Sequence, residues 1–241
     1  MGKKYSVIVA DPPWSFRDSL KMSDVKRGAQ ANYDTMTMQQ IREMPVNEAC
    51  HPDGAVLCLW VPGSLLQDGL DTMKAWGFKH KQTYVWVKIK KDPLREVRGI
   101  FFDHWKKGQK TLGQLKEQGW KKFLQSSVQM IDMIDLNKGK GFVKNMLAFG
   151  MGHLFRQTHE ICLIGTRGKI NSRLANKSQR SVSFAENLKH SAKPEDLQNS
   201  LEIMFPKARK LELFARRLRP GWTCLGNEID GKDIYDALAE L

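Results

Sequence analysis

The sequence predicts an α/β protein: a mostly parallel sheet with helices on both faces, interrupted by one basic helical insertion. Three observations predict it. Short continuous runs of apolar and β-branched residues recur along the chain, the pattern of strands buried on both faces. Amphipathic helical stretches separate them, and that alternation builds a parallel sheet. The alternation fails once, over residues 90–149, where the chain turns basic and its apolar residues fall at three- and four-residue spacing.

Residues 5–10 (YSVIVA) read as a buried strand that stops abruptly at Asp11-Pro12-Pro13. Residues 35–44 read as a short helix ending before Pro45, because a proline pushes the residue ahead of it out of helical conformation. Residues 54–61 (GAVLCLWV) are a second strand, 64–76 an amphipathic helix closed by Gly77, and 83–89 (TYVWVKI) a third strand. Within 90–149, Trp120, Phe123, Leu124, Val128, Ile131 and Ile134 form an apolar stripe, and Thr111 with Gln114 has the form of a capping box. This segment is expected to be an insertion within a single domain spanning 1–241. Its stripe needs a partner surface, either the domain itself or a second copy of the chain in a homodimer. Residues 160–165 (EICLIG) resume the strands. Residues 171–190 read as a polar loop with a short strand near Val182, and 194–204 as a helix that stops before Pro206. Residues 210–215 (KLELFA) and 222–225 (WTCL) are the last two strands.

A chain of 241 residues can bury a substantial core. With 41% hydrophobic and 27% charged residues it is no candidate for wholesale disorder. No apolar run is long enough for a membrane span, and the apolar run near the N-terminus is too short for a signal peptide, so a cytoplasmic protein is expected. The four cysteines form no C-x-x-C pair and the six histidines no H-x-H or H-E-x-x-H pattern, so no metal site is expected and the cysteines read as small core residues. The net charge of +13 is uneven. Residues 1–87 carry 10 basic and 9 acidic side chains, whereas residues 88–144 carry 14 and 6. A block of that kind suits a polyanion, nucleic acid first among them.

The chemistry concentrates in Asp11-Pro12-Pro13-Trp14. In open α/β sheets ligands bind beyond the carboxyl ends of strands, and this tetrapeptide follows one directly. A carboxylate, two prolyl residues that lack N–H groups and an aromatic ring meet there. Together they offer two acceptors and a stacking platform, which matches an amino group on a flat aromatic ring.

D-P-P-[W/Y/F] is the active-site motif of amino-methyltransferases that use S-adenosylmethionine, and this chain resembles their MT-A type, the adenine-N6 methyltransferases. Further motifs carry the resemblance in the family's order: Tyr33-Asp34-Thr35-Met36, Leu59-Trp60-Val61, Trp86-Val87-Lys88, His159-Glu160 with Leu163 to Gly168, His190-Ser191-Ala192-Lys193-Pro194, Arg209 to Arg216, Gly221-Trp222, and Gly226-Asn227-Glu228. It covers residues 5–88 and 150–231. The resemblance implies a Rossmann-like methyltransferase sheet in the permuted order, with the methyl-acceptor half first, since only ten residues precede Asp11. The compact chain, without zinc fingers or a long leader, looks more like a bacterial or phage DNA enzyme than like the eukaryotic messenger-RNA enzyme.

The resemblance also assigns roles. Asp11 and the Pro12 carbonyl would accept the two N6 hydrogens of a flipped adenine, Pro13 would fix the loop, and Trp14 would stack on the base. Asp11, Lys193, Glu212, Phe214, Arg216, Asn227 and Glu228 would line the cofactor S-adenosylmethionine, with Glu228 standing where the family often has an amide. Tyr33, Trp86, Lys88, Glu160 and Lys193 would line the acceptor pocket. In the insertion, Lys106, Lys107, Lys110, Lys121 and Lys122 are candidates for phosphate contacts. Arg217 and Arg219 read as solvated charge, and Trp60 and Trp76 as core. The expected substrate is DNA. The alternatives are RNA as acceptor, or a catalytically silent subunit that only binds nucleic acid.

Overall fold

The computed structural model describes residues 3–15, 35–92, 146–150, 152, 154–186 and 192–241. Its elements are β1 (Val7–Ala10), α1 (Met38–Glu43), α2 (Val46–Ala49), β2 (Gly54–Val61), α3 (Leu66–Ala75), β3 (Lys79–Ile89), β4 (His159–Gly168), β5 (Val182–Glu186), α4 (Asp196–Met204), β6 (Lys210–Leu213), β7 (Trp222–Leu225), α5 (Asn227–Asp230) and α6 (Ile234–Ala239). The seven strands form one sheet in the order β5-β3-β4-β2-β1-β6-β7. β1 is parallel to both β2 and β6, and β6 is parallel to β7. The expected α/β class and mostly parallel sheet stand. Among the pairings described, the exception is β4, which lies antiparallel to β2, with Val61 opposite Ile161.

The central strands are buried because their sequences leave no polar face. All four residues of β1 and all eight of β2 are buried. Ile8, Ala10, Leu57, Leu59, Leu211 and Leu213 make one face of a continuous core. That core includes Ile41 of α1, Met73 of α3 with the following Trp76, and Ile234 and Leu238 of α6. On β6 the intervening residue, Glu212, points to the opposite face by the two-residue period of a strand, where Gln198 of α4 reaches it. Helices therefore cover both faces.

Local chemistry sets the helix boundaries. Thr37 and Gln40 form a capping box at the start of α1. Gly77, at φ +80°, turns the chain out of α3, a conformation that suits glycine. Asp233 caps α6 by accepting from the Tyr235 N–H at 2.8 Å. Several elements depart from the sequence reading, among them α2, which was not anticipated, and β4, which runs on to Gly168 rather than 165. β3 begins at Lys79 rather than at 83; its opening residues are polar and exposed, so no apolar run marks them in the sequence. β6 ends at Leu213 rather than 215, because Phe214 leaves the strand with φ 61°. α6 was not anticipated, although an Asp cap ahead of apolar Ile234, Ala237 and Leu238 marks it.

The chain divides into two compact units. The first is Met1–Trp86, Glu160–Ser183 and Glu195–Leu241, and the second is Val87–His159 with Phe184–Pro194. In the second unit, Ile89 bridges Leu147 and Gly150 bridges Gln157, both antiparallel. The expected helical stripe over 90–149, the Thr111 and Gln114 pair, and Trp105 and Trp120 fall outside the described residues. All four cysteines are free and buried.

Candidate functional site

Strand register brings the predicted site residues of the first unit together. Ala10 lies opposite Leu213 of β6, and Leu213 lies opposite Leu225 of β7. The next residue of each strand is Asp11, Phe214 and Gly226 in turn, so these form one row along the carboxyl edge. Neighbouring strands are about 4.8 Å apart. The crossover from β1 leads to β2 on one side, while β6 lies on the other. The edge between β1 and β6 is therefore a topological switch point, where the loops part and leave a crevice.

Asp11 is half-buried directly past the end of β1, at this switch point. By the strand period it continues the pleat face of Val9, which is opposite Glu212. The two carboxylates sense one another. Burial pushes the Glu212 carboxyl up from its ordinary value; the Gln198 hydrogen bond and the Arg217 charge pull it back, and the Asp11 charge adds to the rise. Gln198 is 4% exposed and donates through Nε2 to Glu212 Oε1 at 3.1 Å. Its Oε1 is a buried acceptor with no hydrogen-bond partner.

The Asp-Pro-Pro-Trp loop is held by its own backbone. The Trp14 N–H donates to the Pro12 carbonyl at 2.8 Å, and the Met36 N–H donates to the Pro13 carbonyl at 3.0 Å. Both prolyl carbonyls thus have a backbone donor, and each keeps a second lone pair for a ligand. Trp14 is buried, and its indole N–H donates to the Trp60 carbonyl at 2.9 Å, which ties the loop to the end of β2.

On the cofactor side, Arg216 Nε lies 3.7 Å from Glu228 Oε1, linking the exits of β6 and β7. Asn227 and Glu228 are exposed, directly past β7. Gly226 has no room for a side chain, because a Cβ there would overlap the Ala215 carbonyl and lie 2.8 Å from its nitrogen. Glu160, half-buried, precedes Ile161 and so falls at the same carboxyl edge, since β4 runs opposite to β2. Trp86 is 1% exposed in β3. Lys88 and Lys193, both half-buried, belong to the second unit. Tyr33 and the five insertion lysines, Lys106, Lys107, Lys110, Lys121 and Lys122, lie outside the described residues.

Sequence reasoning misplaced Arg219. Its side chain is 15% exposed and is not solvated charge. It donates to Glu202 at 2.7 Å and Asn199 at 2.6 Å, pairs with Glu195, and lies over the Trp222 ring. Glu202 also accepts from the Trp222 indole at 2.7 Å. The spacing of Glu195, Asn199 and Glu202, four and three residues apart, places all three on one helical face and was the available signal. Gln198 and the Trp60 carbonyl had no such signal. Among the described residues, no group of three or more His, Cys, Asp or Glu could hold a metal ion, and no helix is long and apolar enough to cross a membrane.

Comparison with known proteins identifies the family. A model of the MT-A70 family matches residues 5–111 and 100–228. The chain is 27% identical over 235 residues to the N(6)-adenosine-methyltransferase MT-A70-like protein of Drosophila melanogaster, covering 97% of this chain and 28% of that protein. It is 26% identical over 236 residues to the human N(6)-adenosine-methyltransferase catalytic subunit METTL3, covering 97% and 30%. It is 23% identical over 247 residues to the type II methyltransferase M.MunI of Mycoplasma sp, covering 96% and 81%. The chain thus spans less than a third of the length of these two N(6)-adenosine-methyltransferases.

Proposed function

The chain belongs to the MT-A70 family, and from that premise we propose that it transfers a methyl group from S-adenosylmethionine to the N6 amino group of adenine in DNA. The observation that carries this reading is the single row of Asp11, Phe214 and Gly226 at the switch point, with Asp-Pro-Pro-Trp on one side and Asn227 and Glu228 on the other.

The residues present fit the cofactor. Its sulfonium is cationic, and Asp11, Glu212 and Glu228 make this edge anionic. Gln198 Oε1 is a buried acceptor still without a partner. Glu228 and Asn227 suit ribose hydroxyls. When bound, S-adenosylmethionine supplies an electrophilic methyl group.

The chain's own residues supply orientation. The N6 lone pair is conjugated with the adenine ring and is a poor nucleophile. Asp11 and the second lone pair of the Pro12 carbonyl accept its two hydrogens, which fixes where the nitrogen points. Asp11 also opposes the positive charge that develops on nitrogen as the new bond forms, and stands ready to take the proton that the nitrogen then releases. Trp14, pinned through its indole N–H, makes a rigid wall for the base, and Trp86 and Glu160 are the described candidates for the rest of the acceptor pocket. Arg216, beside Glu228 at the exits of β6 and β7, would hold polar groups of the cofactor. The basic block over 88–144 neutralises phosphates.

One observation favours DNA: a match to the Mycoplasma type II methyltransferase that spans most of both chains. Adenosine in RNA is the second reading, favoured by the relatives named N(6)-adenosine-methyltransferases. Labelled methyl transfer to unmethylated double-stranded DNA, single-stranded DNA and RNA, with nucleoside digestion, decides between them. Label in N6-methyladenine of DNA that disappears in a folded Asp11→Ala variant is expected. Label in RNA alone moves the substrate to the second reading. Full activity of Asp11→Ala removes the role given to Asp11.

A further inference from the structure

We propose that Leu154 and Phe155 form an apolar wedge that enters the base stack of the nucleic acid and fills the gap left by a displaced base. The inference rests on the nucleic-acid reading above and adds to it a part of the second unit that the catalytic chemistry does not use.

Leu154 is 89% exposed and Phe155 87%, the two most exposed large apolar side chains among the described residues. Single exposed apolar residues are ordinary on a protein surface; an adjacent, almost fully solvated pair at a loop tip is not. The loop is closed at its base by reciprocal bonds, Gly150 N–H to the Gln157 carbonyl at 2.8 Å and Gln157 N–H to the Gly150 carbonyl at 3.1 Å. Both arms are then anchored on one residue of β3. The Lys88 N–H donates to the Thr158 carbonyl at 2.8 Å, and the Lys88 carbonyl accepts from the Ala148 N–H at 2.9 Å. The turn itself is tight, since a Cβ on Gly152 would overlap the Phe155 carbonyl. An anchored base and an exposed apolar tip are what insertion between base steps requires, because a floppy tip would lose on ordering what stacking returns.

Charge selects the occupant. Residues 87–159 carry 15 basic and 6 acidic side chains, and Arg156 directly follows the pair. A basic segment presenting Leu-Phe-Arg is complementary to a polyanion whose interior is a stack of flat rings. Unstacking the target base costs free energy, and a side chain that replaces it in the stack lowers that cost.

The test uses the full chain and a 25-base-pair DNA duplex, either intact or with one abasic site, at fixed low salt. Fluorescence anisotropy gives the affinity ratio between the two duplexes. The abasic duplex has its gap already open, so the wild type is expected to bind it about tenfold more tightly, the worth of roughly one stacked ring. The double variant Leu154→Ser/Phe155→Ser should bind both duplexes alike, with an unchanged slope of affinity against salt because no charge is altered. The variant should also lose methyl transfer to native unmethylated phage DNA while keeping it on the same DNA after heat denaturation. A preference for the abasic duplex that survives in the variant overturns the wedge. So does a wild type with no preference, or a wild-type dimer that the double substitution converts to a monomer. Equal loss on native and denatured DNA also overturns it while leaving the catalytic reading intact. A wild type that discriminates abasic from intact duplex yet transfers no methyl group to any nucleic acid keeps the wedge and removes the catalytic reading instead.

Discussion

Gly226→Ala tests the close approach between the exits of β6 and β7. The backbone at Gly226 has φ 168°, an extended conformation open to any residue, so alanine meets no conformational penalty there. The penalty is steric. The new methyl would overlap the Ala215 carbonyl and lie 2.8 Å from the Ala215 nitrogen and 3.1 Å from the Phe214 carbonyl carbon, and all three are backbone atoms. They cannot move aside independently, because the Ala215 N–H donates to the Leu225 carbonyl at 2.9 Å, one residue before the substitution. Relief requires the two exits to separate by several tenths of an ångström. Overpacking of this kind costs about 2 kcal/mol, which for a chain of this size lowers Tm by roughly 4–8 °C. Asn227 and Glu228 follow directly, so cofactor affinity measured by calorimetry should fall as well. Gly63→Ala is the control, since nothing lies within 4 Å of a Cβ there. If Gly226→Ala melts within 1 °C of the wild type, the two exits are not rigidly joined and the argument for a fixed cofactor edge fails.

Three other variants probe neighbouring groups. Glu212 has its carboxyl raised by burial, with Asp11 adding to the effect, so the folded chain holds this proton more tightly than the unfolded one. Its contribution to stability is complete below the unfolded value and is lost as pH rises through the folded one. Glu212→Gln should therefore gain stability relative to wild type as melts move upward from about pH 4.5; parallel curves would refute the assignment. Arg219→Ala removes the donor shared by Glu195, Asn199 and Glu202. Because those carboxylates are partly exposed and can rehydrate, urea unfolding should report a loss of about 2 kcal/mol rather than the larger cost of a fully buried pair. Arg219→Lys should recover only part of this, since one ammonium cannot replace a planar fork with three partners. Phe214→Gly relaxes a left-handed backbone, worth about 1 kcal/mol, while removing a half-buried ring. Stability should change little and cofactor affinity should fall; if stability alone collapses, the ring is ordinary core.

The central sheet was legible because its strands carry no competing pattern. The runs at 54–61 and 222–225 match β2 and β7 residue for residue, since apolar sequence bounded by glycine, proline or polar residues leaves little freedom. Strand direction was not legible. Glu160 to Gly165 is as apolar as a parallel strand, and only the chain path makes β4 antiparallel. Of the candidate site, motif chemistry singled out Asp11, and the family resemblance singled out Glu212, Phe214, Asn227 and Glu228; the register puts Asp11 and Phe214 in one row, with Asn227 and Glu228 just past the end of β7. The supporting partners were not singled out. Arg219 sits among Arg216, Arg217 and Arg209, and composition cannot say which of these is buried. The two hydrogen bonds that hold the Asp-Pro-Pro-Trp loop involve backbone carbonyls, which every residue possesses and no sequence marks.

The departures from local rules have a common location. Phe214 is the one non-glycine residue with positive φ among those described. Glu212 is a carboxylate set between the fully buried Leu211 and Leu213 of β6, and Gln198 keeps a buried acceptor without a partner beside it. Gly226 is fixed by backbone crowding rather than by a turn. A fold selected for stability alone would replace Glu212 and Gln198 by an apolar pair of similar volume and place a glycine or asparagine at 214. Instead the costs fall within a few residues of the switch point, while β1 and β2 next to them obey every rule of a buried parallel sheet. Local violations concentrated where the chain's own topology opens a crevice are the pattern expected of a binding edge held on a rigid support. That distribution, more than any single residue, is what supports reading the Asp-Pro-Pro-Trp loop and the β6–β7 exits as one candidate site.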